Sequence, residues 1–285
     1  MPIARTDVRT VLITGCSSGI GLCLAEGLRA RGYRVFATAR KADDVVRLAQ
    51  QGFEALALDL DSSDSIAAAT DEVLRRGGGR LYALINNAGY GQAGAVEDLS
   101  RAALRAQFES NVFGTQELTN RVLPAMRAAG EGRIVQISSV LGIVCLAYRG
   151  AYNASKFALE ALSDTLRLEL RGSNIHVALI EPGPIASRFR ASSYAAYRHA
   201  IDRERSAHRE HYAHVEKRLG DLNNVAFTRG PEAVLTKVIH ALESRRPRIR
   251  YPVTIPAHLF SWLRRLLPGR ALDAVLGRIG GAGRR

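Results

Sequence analysis

Thr10-Val11-Leu12-Ile13-Thr14-Gly15-Cys16-Ser17-Ser18-Gly19-Ile20-Gly21 joins an apolar strand to the opening of a helix through a glycine-rich turn. Gly15 permits a tight turn, Gly19 lets backbone approach a pyrophosphate, and Gly21 permits close packing of helix on strand. The helix that follows offers free N–H groups and the positive end of its dipole to phosphate. Glycines at this spacing mark many ordinary turns. The strand before and the helix after turn the pattern into a dinucleotide-binding signature.

Outward from this turn, apolar runs of strand length alternate with helical patterns. Strands are predicted at Thr10–Thr14, Arg34–Thr38, Glu54–Leu58, Leu81–Ile85, Arg133–Ser138 and His176–Ile180. Between them, helical periodicity covers Gly19–Arg31, Asp43–Gln51, Ser62–Arg76, Ala102–Ala129 and Ala151–Arg171. Near-continuous apolar strands such as VLIT and ALIN imply a sheet covered on both faces. The alternation predicts an α/β fold, a single doubly wound (Rossmann) domain with a parallel sheet and helices on both faces. Ligands then sit at the carboxyl ends of the strands. Beyond about Arg188 the alternation loosens. Ala191–Leu219 reads as a polar helical insertion carrying Tyr and His, Pro231–Ser244 as a further helix, and Pro256–Ile279 as two apolar-basic helices broken at Pro268-Gly269. The expected organisation is one domain over 1–285, with a substrate lid at about 189–220 and a C-terminal helical extension at about 256–285.

Composition narrows the function classes. Hydrophobic residues at 47% and charged residues at 24% fit a folded globular chain rather than a disordered one. No apolar run approaches the ~20 residues that span a bilayer. Met1–Arg9 includes Asp7 and lacks an apolar core, which argues against a signal peptide. Cys16, Cys23 and Cys145 are odd in number and lack metal or redox spacing, as expected of reduced thiols in a cytoplasmic protein. The net charge of +13 comes mostly from scattered Arg without interleaved aromatics, so it reads as a basic surface favouring anionic ligands, not as a nucleic-acid site.

The second strand bears on the cofactor. It ends Ala37-Thr38-Ala39-Arg40, where an NAD enzyme usually places an acidic side chain on the ribose hydroxyls. Arg40 instead suits a 2′-phosphate, with Ser17 and Lys41 in support, so NADP(H) is preferred and NAD(H) remains the alternative. Asp43 and Asp44 lie nearby but read as the first turn of the next helix. Asp59, ending the third strand, can accept from the adenine amino group.

The chemistry lies further along. Tyr152 and Lys156 are four residues apart and share a helix face. A phenol is a poor base near neutrality, and a nearby ammonium lowers its pKa. That pairing makes proton exchange with an alcohol feasible. Ser139 ends the preceding strand, where its hydroxyl can reach a substrate oxygen, and Ser138 is its competitor.

With these residues in hand, the chain resembles the short-chain dehydrogenases/reductases, in their short single-domain branch. The motifs are TGCSSGIG at Thr14–Gly21, NNAG at Asn86–Gly89, Asn111, Ser139, YNASK at Tyr152–Lys156, and Pro182-Gly183, in the family's order. NNAGYGQAGAVEDLS is similar to members acting as 17β-hydroxysteroid and retinol dehydrogenases. The resemblance implies a catalytic tetrad of Asn111, Ser139, Tyr152 and Lys156. Tyr152 would be acid in reduction and base in oxidation, Lys156 would also hold the nicotinamide ribose, Ser139 would orient the carbonyl, and Asn111 would fix a water joining Lys156 to solvent. It also implies cofactor contacts at Gly15, Ser17, Ser18, Gly19, Ile20 and Gly21, at Arg40, Asp59 and Leu60, and at Asn87, Ala88 and Gly89. Pro182, Gly183, Ile185 and Ser187 would follow along the nicotinamide, Ser187 standing where the family commonly has Thr.

The substrate pocket is expected among Ser139, Leu141, Cys145, Tyr148, Tyr152 and Phe189, with Val144, Leu146 and Tyr90 close by. This mostly apolar set suggests a hydrophobic ketone, aldehyde or alcohol, steroid- or retinoid-like substrates included. His208, His211 and His214 step by three and do not share one helix face, so a lid helix is preferred to a metal site. Tyr194, Tyr197 and Tyr212 either cover the pocket or pack that lid. The tail around Leu259, Phe260, Trp262, Leu263, Leu266 and Leu267, with Arg264 and Arg265, reads either as a capping helix or as a peripheral membrane contact on anionic lipid. The long helices Ala102–Ala129 and Ala151–Arg171 are those the family uses for dimer contacts, so a homodimer or homotetramer is expected. A non-catalytic dinucleotide sensor is the different-class alternative; it would be expected to lack Tyr152 or Lys156.

Overall fold

In the first strand, β1 (Thr10–Ile13), successive side chains enter different cores: Val11 and Ile13 on one side, Leu12 on the other. Period-two alternation with every position buried is the mark of a central strand covered on both faces. The computed structural model describes residues 8–220 and 226–280. Most of the N-terminal stretch read above for a leader, and the last residues of the C-terminal extension, lie outside them.

Around β1 run β2 (Arg34–Ala39), β3 (Glu54–Ala57), β4 (Ala83–Asn86), β5 (Gly132–Ile137), β6 (Ile175–Glu181) and β7 (Arg250–Pro252). All pair in parallel, in the order β3-β2-β1-β4-β5-β6-β7. The order reverses between β1 and β4, which opens a crevice at their carboxyl ends. One face is covered by α1 (Gly19–Ala30), α2 (Ala42–Gln50) and α9 (Glu232–Glu243), through Leu24, Leu28, Leu48, Val234 and Val238. The other is covered by α3 (Ser63–Arg76), α5 (Thr115–Ala129) and α6 (Gly150–Glu169), through Ile66, Val73, Leu118, Val122 and Leu166. The doubly wound parallel sheet expected from the alternation is present.

Three elements depart from the expected pattern. Ala102–Ala129 is not one regular helix: α4 (Arg101–Phe108) passes through a wide π turn at Glu109–Gly114 before α5. At Gly114 an added Cβ would lie 1.9 Å from the Leu60 carbonyl oxygen, so the π turn brings backbone against the loop after β3. The insertion is two helices, α7 (Phe189–Ala200) and α8 (Arg209–Gly220), and His208 precedes the second. β7 carries no strand signal in the sequence. It is a three-residue edge strand ending in proline, a residue tolerated only at such edges.

The C-terminal helices α10 (Ile255–Leu266) and α11 (Gly269–Gly280) break at Pro268, as expected. Phe260 and Leu276 pack with Val140, Leu141, Val144, Leu146 and Tyr152. Tyr197 and Tyr212 are fully buried in a separate cluster with Ala93, Ala95 and Ile201, so these two pack the α7–α8 pair.

Candidate active site

The glycine turn is built as tightly as its sequence requires. Gly15 has φ of 72°, and an added Cβ would meet Ala88 Cα at 2.9 Å. Gly21 departs from the expected helix–strand contact: an added Cβ would lie 2.1 Å from the Gly15 carbonyl oxygen, so Gly21 packs on the turn itself. The turn is tied to the loop after β4. Thr14 Oγ1 accepts from the Asn87 and Ala88 N–H groups, each at 2.9 Å, and Asn87 Nδ2 donates to the Thr14 and Gly15 carbonyls at 2.8 and 3.1 Å. Asn87 therefore acts by its side chain on the turn. Thr14, not singled out from the sequence, is the hub.

No side chain caps the N-terminus of α1 at Ser18, so its first N–H groups stay available to an anion. Gly19 has φ of 58° and stands against Ser187, whose Cβ an added methyl would meet at 2.9 Å. The loop after β6 thus lies over the same helix end. Within it Pro182 O accepts from Val140 N–H at 2.9 Å, Gly183 packs on Thr254, and Ile185 pairs with Arg229. Turn, open helix end and flanking loops form a cradle that fits a dinucleotide pyrophosphate.

At the ends of β2 and β3, Arg40 is exposed and makes no ion pair among the described residues. Arg40 and Asp61 act in opposite senses on the Tyr90 hydroxyl, which burial pushes up. Asp43 and Asp44 open α2, and Asp44 pairs with Arg47 at 2.6 Å while Arg47 donates to the Ser17 carbonyl at 2.7 Å. Asp59 is engaged with its own loop, its carboxylate accepting from Asp61 N–H at 3.1 Å, and Leu60 is buried beside Gly114.

The catalytic candidates converge where β5, the π turn and α6 meet. Ser139 follows β5, is buried, and accepts from Leu141 N–H at 3.1 Å. Burial pushes Tyr152 up to about 12; the Ser139 hydroxyl and the Arg149 charge oppose that rise. Lys156, one turn on, donates to the Ile137 carbonyl at 2.8 Å. Burial pushes its ammonium down to about 8, while Glu160 pulls it up. Asn111, within the π turn, donates to the Tyr90 carbonyl at 3.0 Å and to Ser155 Oγ at 3.2 Å, and accepts from Tyr90 N–H at 3.2 Å. Its amide stitches the loop after Gly89 to α6, and an added Cβ on Gly89 would meet it at 2.9 Å.

Of the expected substrate positions, Leu141 is buried near Tyr152, and the Phe189 ring lies 5.3 Å from the Tyr152 ring. Tyr148, held at φ of 61°, instead stacks on His211 and meets His208 and Tyr212 edge-on at the α7–α8 pair. Cys145 lines a cavity of about 340 Å³ with Val144, Phe157, Arg264, Leu272 and Leu276, whose lining includes neither Ser139 nor Tyr152. His208 bonds Glu97, and no group of three or more His, Cys, Asp or Glu is arranged for a metal among the described residues.

Two groups escaped the sequence reading. Arg149 stands at the N-cap position of α6, shortly before Tyr152, without a side-chain capping bond, and burial with the nearby Arg218 and Arg190 charges pushes it down to about 9. Behind Lys156, Glu160, Asp164 and Glu181 surround Arg250 at 3.0, 2.6 and 3.2 Å. No local pattern joins residues so distant in sequence.

A family model described as short chain dehydrogenase matches residues 9–198. The chain is 47% identical over 268 residues to the uncharacterized oxidoreductase YbbO of Escherichia coli K12, covering 94% of each chain. It is 35% identical to human retinol dehydrogenase 8, over 87% of this chain and 82% of that one. Among solved structures, a metagenomic short-chain oxidoreductase in complex with NADP superposes with a TM-score of 0.65 at 28% identity, covering 86% of this chain and 96% of that one. No helix among the described residues is long and apolar enough to cross a membrane.

Proposed function

Because this chain belongs to the short-chain dehydrogenase/reductase family and is an NAD(P)-dependent oxidoreductase of it, we propose that it interconverts a hydrophobic ketone or aldehyde and its alcohol with NADP(H). The observation that carries the reading is the convergence of Ser139 and Tyr152, both buried, with Lys156 one helical turn along α6 and the open end of α1 at the same edge of the sheet.

The bound nicotinamide dinucleotide supplies or accepts the hydride. The glycine turn from Gly15 to Gly21 holds its phosphates, Arg40 its 2′-phosphate, and Asn87 keeps the turn in shape. Tyr152 holds the proton. A buried phenol with its pKa held high is protonated near neutrality, so it donates to the oxygen of a carbonyl undergoing reduction. Ser139 orients that oxygen, and the Lys156 and Arg149 charges stabilise the phenolate left behind. Asn111 fixes the Tyr90 loop and the start of the proton path beside Lys156.

The hydrophobic substrate is supported by Leu141, Val144 and Leu146 packed around Tyr152, by the Phe189 ring, and by similarity to a retinol dehydrogenase. The α7–α8 pair serves as the lid, within a single domain extended at its C-terminus. As partners we propose a second copy of the chain, in a homodimer or homotetramer, and a membrane surface met by the C-terminal helices. Exposed Leu104, Phe113, Leu162 and Leu168 on and between α4, α5 and α6 support the first. The direct test is NADPH and NADH consumption with retinal, steroidal ketones, long-chain aldehydes and aromatic ketones. Turnover of hydrophobic carbonyls with NADPH is expected. Turnover confined to NADH overturns the cofactor assignment, and binding of neither dinucleotide overturns the reading.

A further inference from the structure

α10 buries one face and leaves the opposite one bare. Ala257 and Phe260 are buried toward the loop after Ser139. Ile255, Leu259, Trp262 and Leu266 are 62, 50, 62 and 70% exposed. At about 100° per residue these four fall in one narrow stripe running the length of the helix. A surface helix normally turns polar residues outward there. Four large apolar side chains aligned in the open mark a surface that meets something apolar.

The border of the stripe says what it meets. From Thr254 to Leu272 the sequence has no acidic residue, while His258, Arg264, Arg265 and Arg270 fall within it. Arg264 turns inward, donating to the Ile143 carbonyl and lying over the Phe157 ring. Arg265 and Arg270 are exposed, and Arg265 with His258 falls on one flank of the stripe. An amphipathic helix with a basic flank and Trp at its apolar surface has the composition of one lying in a headgroup layer. A second copy meeting this face about a two-fold axis would bring like-charged borders together in a chain of net charge +13, which disfavours self-association here.

We infer that α10 is an interfacial docking helix for anionic lipid surfaces, its Ile255–Leu259–Trp262–Leu266 stripe entering the acyl boundary and Arg265 and Arg270 meeting the phosphates. This deepens the membrane contact proposed above and names the lipid class. The placement has a functional consequence. The α10–α11 pair packs on Val140, Leu141 and Tyr152 and walls the cavity containing Cys145, so docking holds the cover of the reaction site at the phase in which hydrophobic carbonyls dissolve.

Trp262 is the only tryptophan, so its emission reports on the stripe alone. The full-length protein is titrated with vesicles of phosphatidylcholine alone or mixed with phosphatidylglycerol, reading Trp262 emission and co-sedimentation. A blue shift and sedimentation with the mixed vesicles, both reversed by high salt, are expected. Leu259→Ser with Leu266→Ser should abolish both. Arg265→Gln and Arg270→Gln should each weaken binding about fivefold. Binding equal on both vesicle types overturns the lipid class. No shift with either type overturns the docking, and so does a lipid-free blue shift that grows with protein concentration as the mass doubles. These readouts need no turnover. Lost vesicle binding with intact NADPH turnover of a soluble ketone sinks the docking alone, whereas vesicle binding without turnover on any carbonyl sinks the catalytic reading alone.

Discussion

The Lys156 ammonium lies 5.9 Å from the centroid of the Tyr152 ring, one turn along α6, and donates its hydrogen bond to the Ile137 carbonyl at 2.8 Å. The stabilisation of the phenolate proposed for it would therefore act through space. Burial pushes Tyr152 up to about 12 and Lys156 down to about 8. The phenol keeps its proton across the neutral range, while the Lys156 charge, proposed to stabilise its conjugate base, is lost just above it. Reduction should slow as pH rises through about 8. Glu160→Gln removes the carboxylate that holds the ammonium charged, so the alkaline limb should move to lower pH. Rate profiles of NADPH oxidation read this directly, and an unmoved limb would contradict the assigned coupling.

The proposed preference for NADP(H) rests on Arg40. Arg40→Ala should weaken NADPH by roughly 10- to 100-fold, the value of a charge-assisted hydrogen bond to phosphate, and leave NADH within about twofold. Titration of dinucleotide fluorescence checks both. Equal losses for the two cofactors would place Arg40 outside the 2′-phosphate site.

Gly21 is a steric requirement. A methyl there meets the Gly15 carbonyl oxygen at 2.1 Å, and neither backbone can retreat while Asn87 ties the turn to β4. Gly21→Ala should destabilise by about 1–3 kcal/mol and sharply weaken dinucleotide binding. Thermal unfolding with and without NADPH separates the two effects; unchanged binding would show that the turn adapts.

The carboxylates around Arg250 give a pH signature in stability. Burial, with Glu160 adding to it, pushes Glu181 up to about 8. A carboxyl raised above its unfolded value contributes stability that is fully present below the ordinary carboxylate range and is lost as pH rises through about 8. Tm should therefore fall between about pH 5 and about pH 8, and Glu181→Gln should flatten that slope. A variant as steep as the parent would assign the slope to other groups.

Much of this site is legible in short segments. The β1 turn and the Tyr152–Lys156 step are local patterns whose spacing states their geometry, whereas Asn111 and the choice of Ser139 over Ser138 come only from the family resemblance. The misses are non-local or conformational. β7 is too short and too polar at Arg250 to announce itself, and it becomes a strand only because β6 offers an edge. The π turn adds no residue type that marks it; it follows from Gly114 meeting Leu60. Tyr148 reads as a pocket residue by position, but a positive φ sends it to His208 and Tyr212. Glu160, Asp164, Glu181 and Arg250 meet only through the folded sheet edge.

The central claim is that Tyr152 delivers the proton to a carbonyl reduced by a bound dinucleotide, and Tyr152→Phe tests it most directly. With NADPH and a hydrophobic carbonyl turned over by the parent, the rate should fall by about 10²- to 10⁴-fold, with NADPH affinity kept within about twofold. A variant that binds NADPH and reduces the carbonyl at the parent's rate contradicts the account.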